Sequence, residues 1–217
     1  MSTRLMLVED HALVRTGIRA LLETSAELTV AGEADNGRDA IELCKTLKPD
    51  IVLMDLAMGD MNGIEATRQM CAVEPGARVI MLSMHSDQQY IYESLRAGAR
   101  GYLPKSAAFT ELLIAIKEVL AGQNYVSPAL AGSVIDDYVR RAQGASEPDE
   151  AAKLSPRERE VIGLIADGNS SAEVARLLHI SVRTVDTHRH NIMQKLKLSS
   201  IAALTKFAIR NGLCFLQ

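Results

Sequence analysis

Short apolar runs alternate along the first half of the chain with longer stretches in which apolar residues recur every three or four positions. The runs are residues 5–8 (LMLV), 28–34 (LTVAGEA), 50–55 (DIVLMD), 78–83 (RVIMLS) and 101–105 (GYLPK). Each has the length and the aliphatic content of a strand. Between them Leu13, Ile18, Leu21 and Leu22, then Ala40, Ile41, Leu43 and Leu47, then Ile64, Ala66, Thr67 and Met70 keep helical spacing. Strand and helix in alternation predict a parallel sheet covered on both faces. The almost wholly apolar IVLM and VIML are what doubly buried strands require. A helix over 108–121, with Leu112, Leu113, Ile116 and Leu120 on one side, closes a doubly wound α/β module of five strands and five helices, residues 1–121.

The period then changes. Ser127 and Pro128 suit an N-cap and first helical position, and Leu130, Val134, Ile135 and Tyr138 continue at helical spacing. Residues 144–153 contain Pro148 and no large apolar residue, which predicts a mobile linker. Residues 122–153 thus read as a helical segment plus linker, and 154–217 as a separate all-α domain. Ser155-Pro156 with Glu158, and Ser170 with Glu173, are capping boxes that fix two helix starts. Gly168 suits the stop of the first, and Ser181 caps a third helix over 182–197. A fourth covers about 199–210, where Ile201, Leu204 and Ala208 form a stripe fit for core or dimer contact.

Composition narrows the class. A chain of 217 residues, 47% hydrophobic and 24% charged, is neither disordered nor collagenous and has room for two domains. Cys44, Cys71 and Cys214 lie far apart without a C-x-x-C pair, against a disulfide framework or a cysteine zinc site and for the reducing cytoplasm. The N-terminus lacks a signal arrangement, and no apolar run approaches membrane length, so neither export nor a membrane partner is expected. The net charge of −3 conceals a division: residues 1–143 carry −5, 144–152 carry −3 and 153–217 carry +5. An acidic module that meets cations and a basic one that meets phosphates would divide the charge this way.

In a doubly wound sheet, ligands bind beyond the carboxyl ends of the strands. Those ends carry Glu9 and Asp10, Asp55, Ser83 and Lys105. Gathered carboxylates call for a cation, and an all-oxygen set favours Mg2+. Such a cation would let a carboxylate oxygen accept a phosphoryl group, with Lys105 as its counter-charge and Ser83 as a hydrogen-bond donor. Taken singly, Glu9 or Asp10 could simply cap a helix; the recurrence at four strand ends favours a site. His11 and His85 fall near this edge as polar loop residues, without the paired spacing of a zinc site.

The segments LVEDHALVRTGI, DIVLMDLAMGDMNGIEA, VIMLSMH and AGARGYLPKS resemble the receiver domain of bacterial two-component response regulators, with its flavodoxin-like fold. The resemblance implies Asp55 as phosphoacceptor and Mg2+ held by Glu9, Asp10, Asp55 and the main-chain carbonyl of Ala57. It further implies Ser83, Tyr102 and Lys105 as the phosphoryl-switch residues. One departure stands out: family members usually read MP-x-MNG after the phosphoacceptor, and here the loop is Met58-Gly59-Asp60-Met61-Asn62-Gly63. Losing the proline loosens the loop, and Asp60 adds a charge beside the metal.

In the basic domain, a helix over 172–178, a tight turn and the helix over 182–197 make a helix-turn-helix, whose second member enters the major groove. Val185, Ile192, Met193 and Leu196 share one face of it; Arg183, Asp186, Thr187, His190 and Gln194 share the other, with Thr184 beside them. Arg183 can address guanine and Gln194 adenine, while Asp186 could accept from cytosine or orient Arg183. Arg189, Lys195 and Lys197 suit phosphates. LSPREREVIGLIADGNSSAEVARLLHISVRTVDTHRHNIMQKLKL resembles the LuxR-type DNA-binding domain, and the whole chain is similar to NarL/FixJ-type response regulators. That resemblance implies a transcription factor for double-stranded DNA, not an enzyme, phosphorylated by a cognate histidine kinase and homodimeric when active. One rival is a dehalogenase-type phosphatase, which expects a second Asp two residues after the nucleophile, where this chain has Ala57. The other is a DNA binder controlled without phosphorylation.

Overall fold

The computed structural model describes residues 2–59, 61–140 and 150–214, except the side chains of 133, 136–140 and 152. Most of the linker and Asp60 therefore lie outside the described residues. The chain divides into two compact units, 1–140 and 141–217.

In the first unit the elements run β1 (Thr3–Val8), α1 (Ala12–Glu23), β2 (Leu28–Ala34), α2 (Gly37–Leu47), β3 (Ile51–Asp55) and α3 (Gly63–Val73). They continue as β4 (Val79–Ser83), α4 (Gln88–Ala97), β5 (Gly101–Pro104), α5 (Phe109–Leu120), β6 (Tyr125–Val126) and α6 (Pro128–Arg140). All strands are parallel, in the order β2-β1-β3-β4-β5-β6. Successive side chains of a strand leave by opposite faces. Leu5 and Leu7 therefore join Ile51, Leu53, Ile80, Leu82 and Leu103 in a core closed by Leu22 of α1 and Ala115, Ile116 and Val119 of α5. Met6, Val8, Val52, Met54 and Met81, equally buried, point to the other face, which α2 and α3 cover.

The sheet has one strand more than the pattern predicts. Tyr125 and Val126 pair with Gly101 and Tyr102, and the Ser127 amide donates to the Tyr102 carbonyl at 3.0 Å. Two residues are too few to show alternation; they are extended because the free edge of β5 offers backbone partners. Pro128 opens α6 as expected, and Leu130 is buried, so this segment packs as part of the first unit and not as a connector after residue 121. Ser127 does not act as a side-chain cap: its buried hydroxyl has no hydrogen-bond partner among the described residues.

The second unit holds α7 (Pro156–Ala166), α8 (Ser171–Leu177), α9 (Val182–Lys195) and α10 (Ile201–Arg210), preceded by a 3₁₀ turn at Glu150–Lys153. Both expected capping boxes form, on Ser155 with Glu158 and on Ser170 with Glu173. Val161, Ile162, Leu164 and Ile165 of α7 pack with Val174, Val185, Ile192, Leu196, Leu204 and Ala208. Of the α10 stripe, Leu204 and Ala208 are thus core, while Ile201 is 46% exposed. Between α8 and α9 the turn places His179 at φ +53°, the left-handed conformation that closes a helix C-terminus.

Candidate functional site

The strand order reverses direction between β1 and β3, and at such a switch point the loops diverge to leave a crevice. Glu9 and Asp10 leave β1 there, Asp55 ends β3, Ser83 ends β4 and Lys105 follows β5. Glu9, Asp55 and Ser83 are 1%, 2% and 0% exposed, which no polar trio tolerates without partners. Lys105 supplies one for each carboxylate: its Nζ lies 2.7 Å from Glu9 Oε2 and 2.9 Å from Asp55 Oδ1. The Ala57 amide approaches Asp55 Oδ1 at 3.4 Å. Asp55 Oδ2 is buried with no hydrogen-bond partner among the described residues.

Burial raises the Asp55 carboxyl to about 6 despite the adjacent ammonium, with the Glu9 charge adding to the rise. Burial acts against the Lys105 ammonium too, but its hydrogen bonds to Glu9 and Asp55 prevail and hold the amine above its ordinary value. One ligand atom from each of Glu9, Asp10, His11 and Asp55 lies within 4.8 Å of all the others. An orphaned carboxylate oxygen beside two further carboxylates fits a hard divalent cation.

The β4 end is wired to β5. Ser83 Oγ accepts from the His85 amide at 2.8 Å, and the fully buried Tyr102 donates its hydroxyl to the His85 carbonyl at 2.8 Å. Burial pushes the Tyr102 phenol up to about 12, so it stays a donor. The His85 ring lies 5.2 Å from that of Tyr90, tilted by 60°. The loop after Asp55 is anchored despite its missing proline. Met58 and Met61 are buried on either side of Gly59, Asn62 caps α3 by accepting from the Glu65 amide at 2.9 Å, and Gly63 donates to Leu56 O at 2.8 Å. Gly63 is required there, since any Cβ would collide with the Asp55 carbonyl.

On the second unit, Arg183, Thr187, His190 and Gln194 share the exposed side of α9, while Val185, Ile192 and Leu196 are buried beneath them. Thr184 is half-buried and tied to the cap, with its hydroxyl 2.8 Å from Ser181 Oγ. Three of the residues expected to contact DNA, Asp186, Arg189 and Lys195, also make contacts within the unit. Asp186 accepts from Ser171 Oγ at 3.0 Å and pairs with Arg189 Nη2 at 3.2 Å, linking α8 to α9 and not orienting Arg183. Lys195 donates to both oxygens of Glu158 at 2.8 and 2.7 Å, fastening the end of α9 to the α7 capping box. Glu158 is buried, which alone would raise its carboxyl, but Lys195 and Ser155 hold it below the usual value. A neighbouring buried carboxylate competes for a lysine that spacing alone makes available to phosphate; only packing brings α7 there.

A profile of the response regulator receiver domain matches residues 5–117, and that of bacterial regulatory proteins of the luxR family matches residues 152–208. The chain belongs to the LuxR-type response regulators. This response regulator is 37% identical over 213 residues to the response regulator UvrY of Escherichia coli K12, covering 96% of this chain and 94% of that protein. It is 36% identical over 210 residues to the response regulator GacA of Pseudomonas aeruginosa, covering 97% of each. Among solved structures it resembles a LuxR-family two-component response regulator from Aurantimonas, with 37% identity and a TM-score of 0.62 over 64% of this chain and 99% of that one. The response regulator is therefore a two-component, DNA-binding transcriptional regulator. No helix among the described residues is long and apolar enough to cross a membrane.

Proposed function

We propose that Asp55 is the phosphoacceptor through which a histidine kinase switches this regulator. The observation that carries the reading is the Asp55 carboxylate itself, with Oδ1 held by Lys105 and Oδ2 buried, unpartnered and at the switch point. As Oδ2 forms its bond to phosphorus, the bond from phosphorus to the kinase histidine breaks and the electron pair leaves with the imidazole nitrogen. Lys105, already between Glu9 and Asp55, meets the incoming phosphoryl oxygens as a fixed positive charge. Ser83 accepts from the His85 amide, which leaves its own proton to donate to the phosphoryl group.

Glu9, Asp10, Asp55 and the Ala57 carbonyl are the groups that would hold Mg2+. When bound, Mg2+ supplies charge neutralisation for the oxygens in transfer. Movement of Ser83 toward the phosphoryl group pulls on His85 and hence on Tyr102, whose strand also pairs with β6 at the root of α6. In the second unit, Arg183, Thr187 and His190 face base edges of double-stranded DNA, and Arg189 serves the phosphates when not engaged with Asp186. Thr184, Asp186 and Lys195 act by positioning α9. The active form is a homodimer, the regulator accepts one phosphoryl group without turning over an outside substrate, and a regulator that meets DNA and a kinase works in the cytoplasm.

Incubation of the full chain with acetyl phosphate and Mg2+, read by intact mass and then by sedimentation velocity, tests this. One phosphoryl mass on the unmutated chain and none on Asp55→Asn, with a shift toward dimer only in the former, is the expected result. Equal uptake by the Asp55→Asn chain moves the site elsewhere.

A further inference from the structure

His11 follows directly on the acidic pair, and the phosphoryl chemistry makes no use of it. Its backbone is extended at φ −83°, ψ 105°, just before α1, and its amide donates to Glu9 Oε1 at 3.2 Å. As the residue preceding α1 it forms no side-chain cap bond, so the imidazole is not committed to the helix. Its Nδ1 lies 2.7 Å from Asp10 Oδ1 and 3.3 Å from Glu9 Oε1, with the side chain 71% exposed at the rim of the pocket. At the base, the unpartnered Asp55 Oδ2 is 2% exposed by residue. One ligand atom from each of Glu9, Asp10, His11 and Asp55 lies within 4.8 Å of all the others, so a nitrogen donor joins the three carboxylates of the cluster.

We infer that His11 is a metal-selectivity residue, which lets this pocket hold a first-row transition cation such as Ni2+ or Zn2+ in competition with Mg2+. The inference rests on reading Glu9, Asp10 and Asp55 as the cation pocket. Mg2+ takes oxygen ligands and retains its water, so it gains nothing from an imidazole. Ni2+ and Zn2+ bind imidazole nitrogen well, and at an otherwise equal site their affinity exceeds that of harder ions. Nδ1 is the His11 ring nitrogen that faces the carboxylates.

Isothermal titration of the metal-stripped full chain with Ni2+ and with Mg2+, for the unmutated chain, His11→Asn and Asp55→Asn, tests the inference. His179, His188 and His190 offer Ni2+ background sites on the other unit, so the reading is taken from the Ni2+ heat that saturating Mg2+ displaces. Asparagine keeps a polar group of similar reach and removes the nitrogen donor. His11→Asn is expected to lower the Mg2+-displaceable Ni2+ affinity by about tenfold or more, the scale of losing a tuned metal contact, and to leave Mg2+ affinity unchanged. Unaltered Ni2+ affinity, or an equal fall for both metals, overturns the role of His11. Mg2+ binding that Asp55→Asn does not weaken overturns the pocket itself, a separate result.

Discussion

Replacing Asp55 with asparagine is expected to stabilise the first unit at neutral pH, and to do so less as the pH falls. Burial places the folded carboxyl at about 6 against an ordinary 3.8. The folded chain therefore binds this proton more tightly than the unfolded chain, so stability declines as pH rises between those values and stays reduced above them. At about 1.4 kcal/mol for each tenfold difference in proton affinity, the full cost of keeping Asp55 ionised is about 3 kcal/mol at pH 7, and about half of that at pH 5. Asparagine keeps the shape and removes the charge. The value of about 6 already includes the Lys105 pair, and in the variant Lys105 keeps Glu9 at 2.7 Å, so the net gain is on the order of 1–3 kcal/mol. Because a two-unit chain need not unfold in one step, hydrogen exchange read by mass spectrometry on peptides from β1, β3 and β4 is the suitable assay, with chelator present. The slowest amides of Asp55→Asn should exchange about ten- to a hundredfold more slowly than those of the unmutated chain at pH 7, with the ratio shrinking at pH 5. Adding Mg2+ should close the gap by stabilising only the unmutated chain. A pH-independent ratio, or a mutant less protected at pH 7, refutes the argument that burial of the Asp55 charge outweighs its pairing with Lys105 at this site.

Two further changes probe the scaffold. Gly63→Ala drives a Cβ into the Asp55 carbonyl, and should cost about 1–3 kcal/mol in thermal melts and reduce phosphoryl uptake; an unchanged melt would show that the β3-α3 loop yields freely. Glu158→Ala removes both a capping-box partner and the Lys195 pair, of which Lys195 is 44% exposed, so about 1–2 kcal/mol is expected for the second unit. Since Glu158 is held below its ordinary value, its contribution should be present at neutral pH and fade on acidification through the folded value; a difference from Glu158→Ala that grows in acid contradicts the pairing.

The sequence by itself determined the alternation of strand and helix, the division into an acidic and a basic module, and the strand ends where Glu9, Asp10, Asp55, Ser83 and Lys105 meet. Those features are local: period, cap and strand end are written in neighbouring residues. Both capping boxes were legible for the same reason. Only the tertiary structure decided what depends on residues far apart in the chain. β6 exists because the edge of β5 is open to Tyr125 and Val126. Asp186 and Lys195 bond to neighbouring helices because α8 brings Ser171, and α7 brings Glu158, within hydrogen-bonding distance. His11 meets its sequence neighbours Glu9 and Asp10, and β3 adds Asp55 to that cluster. A periodic pattern records which face of an element is apolar; which charged groups satisfy one another is settled only when the faces pack.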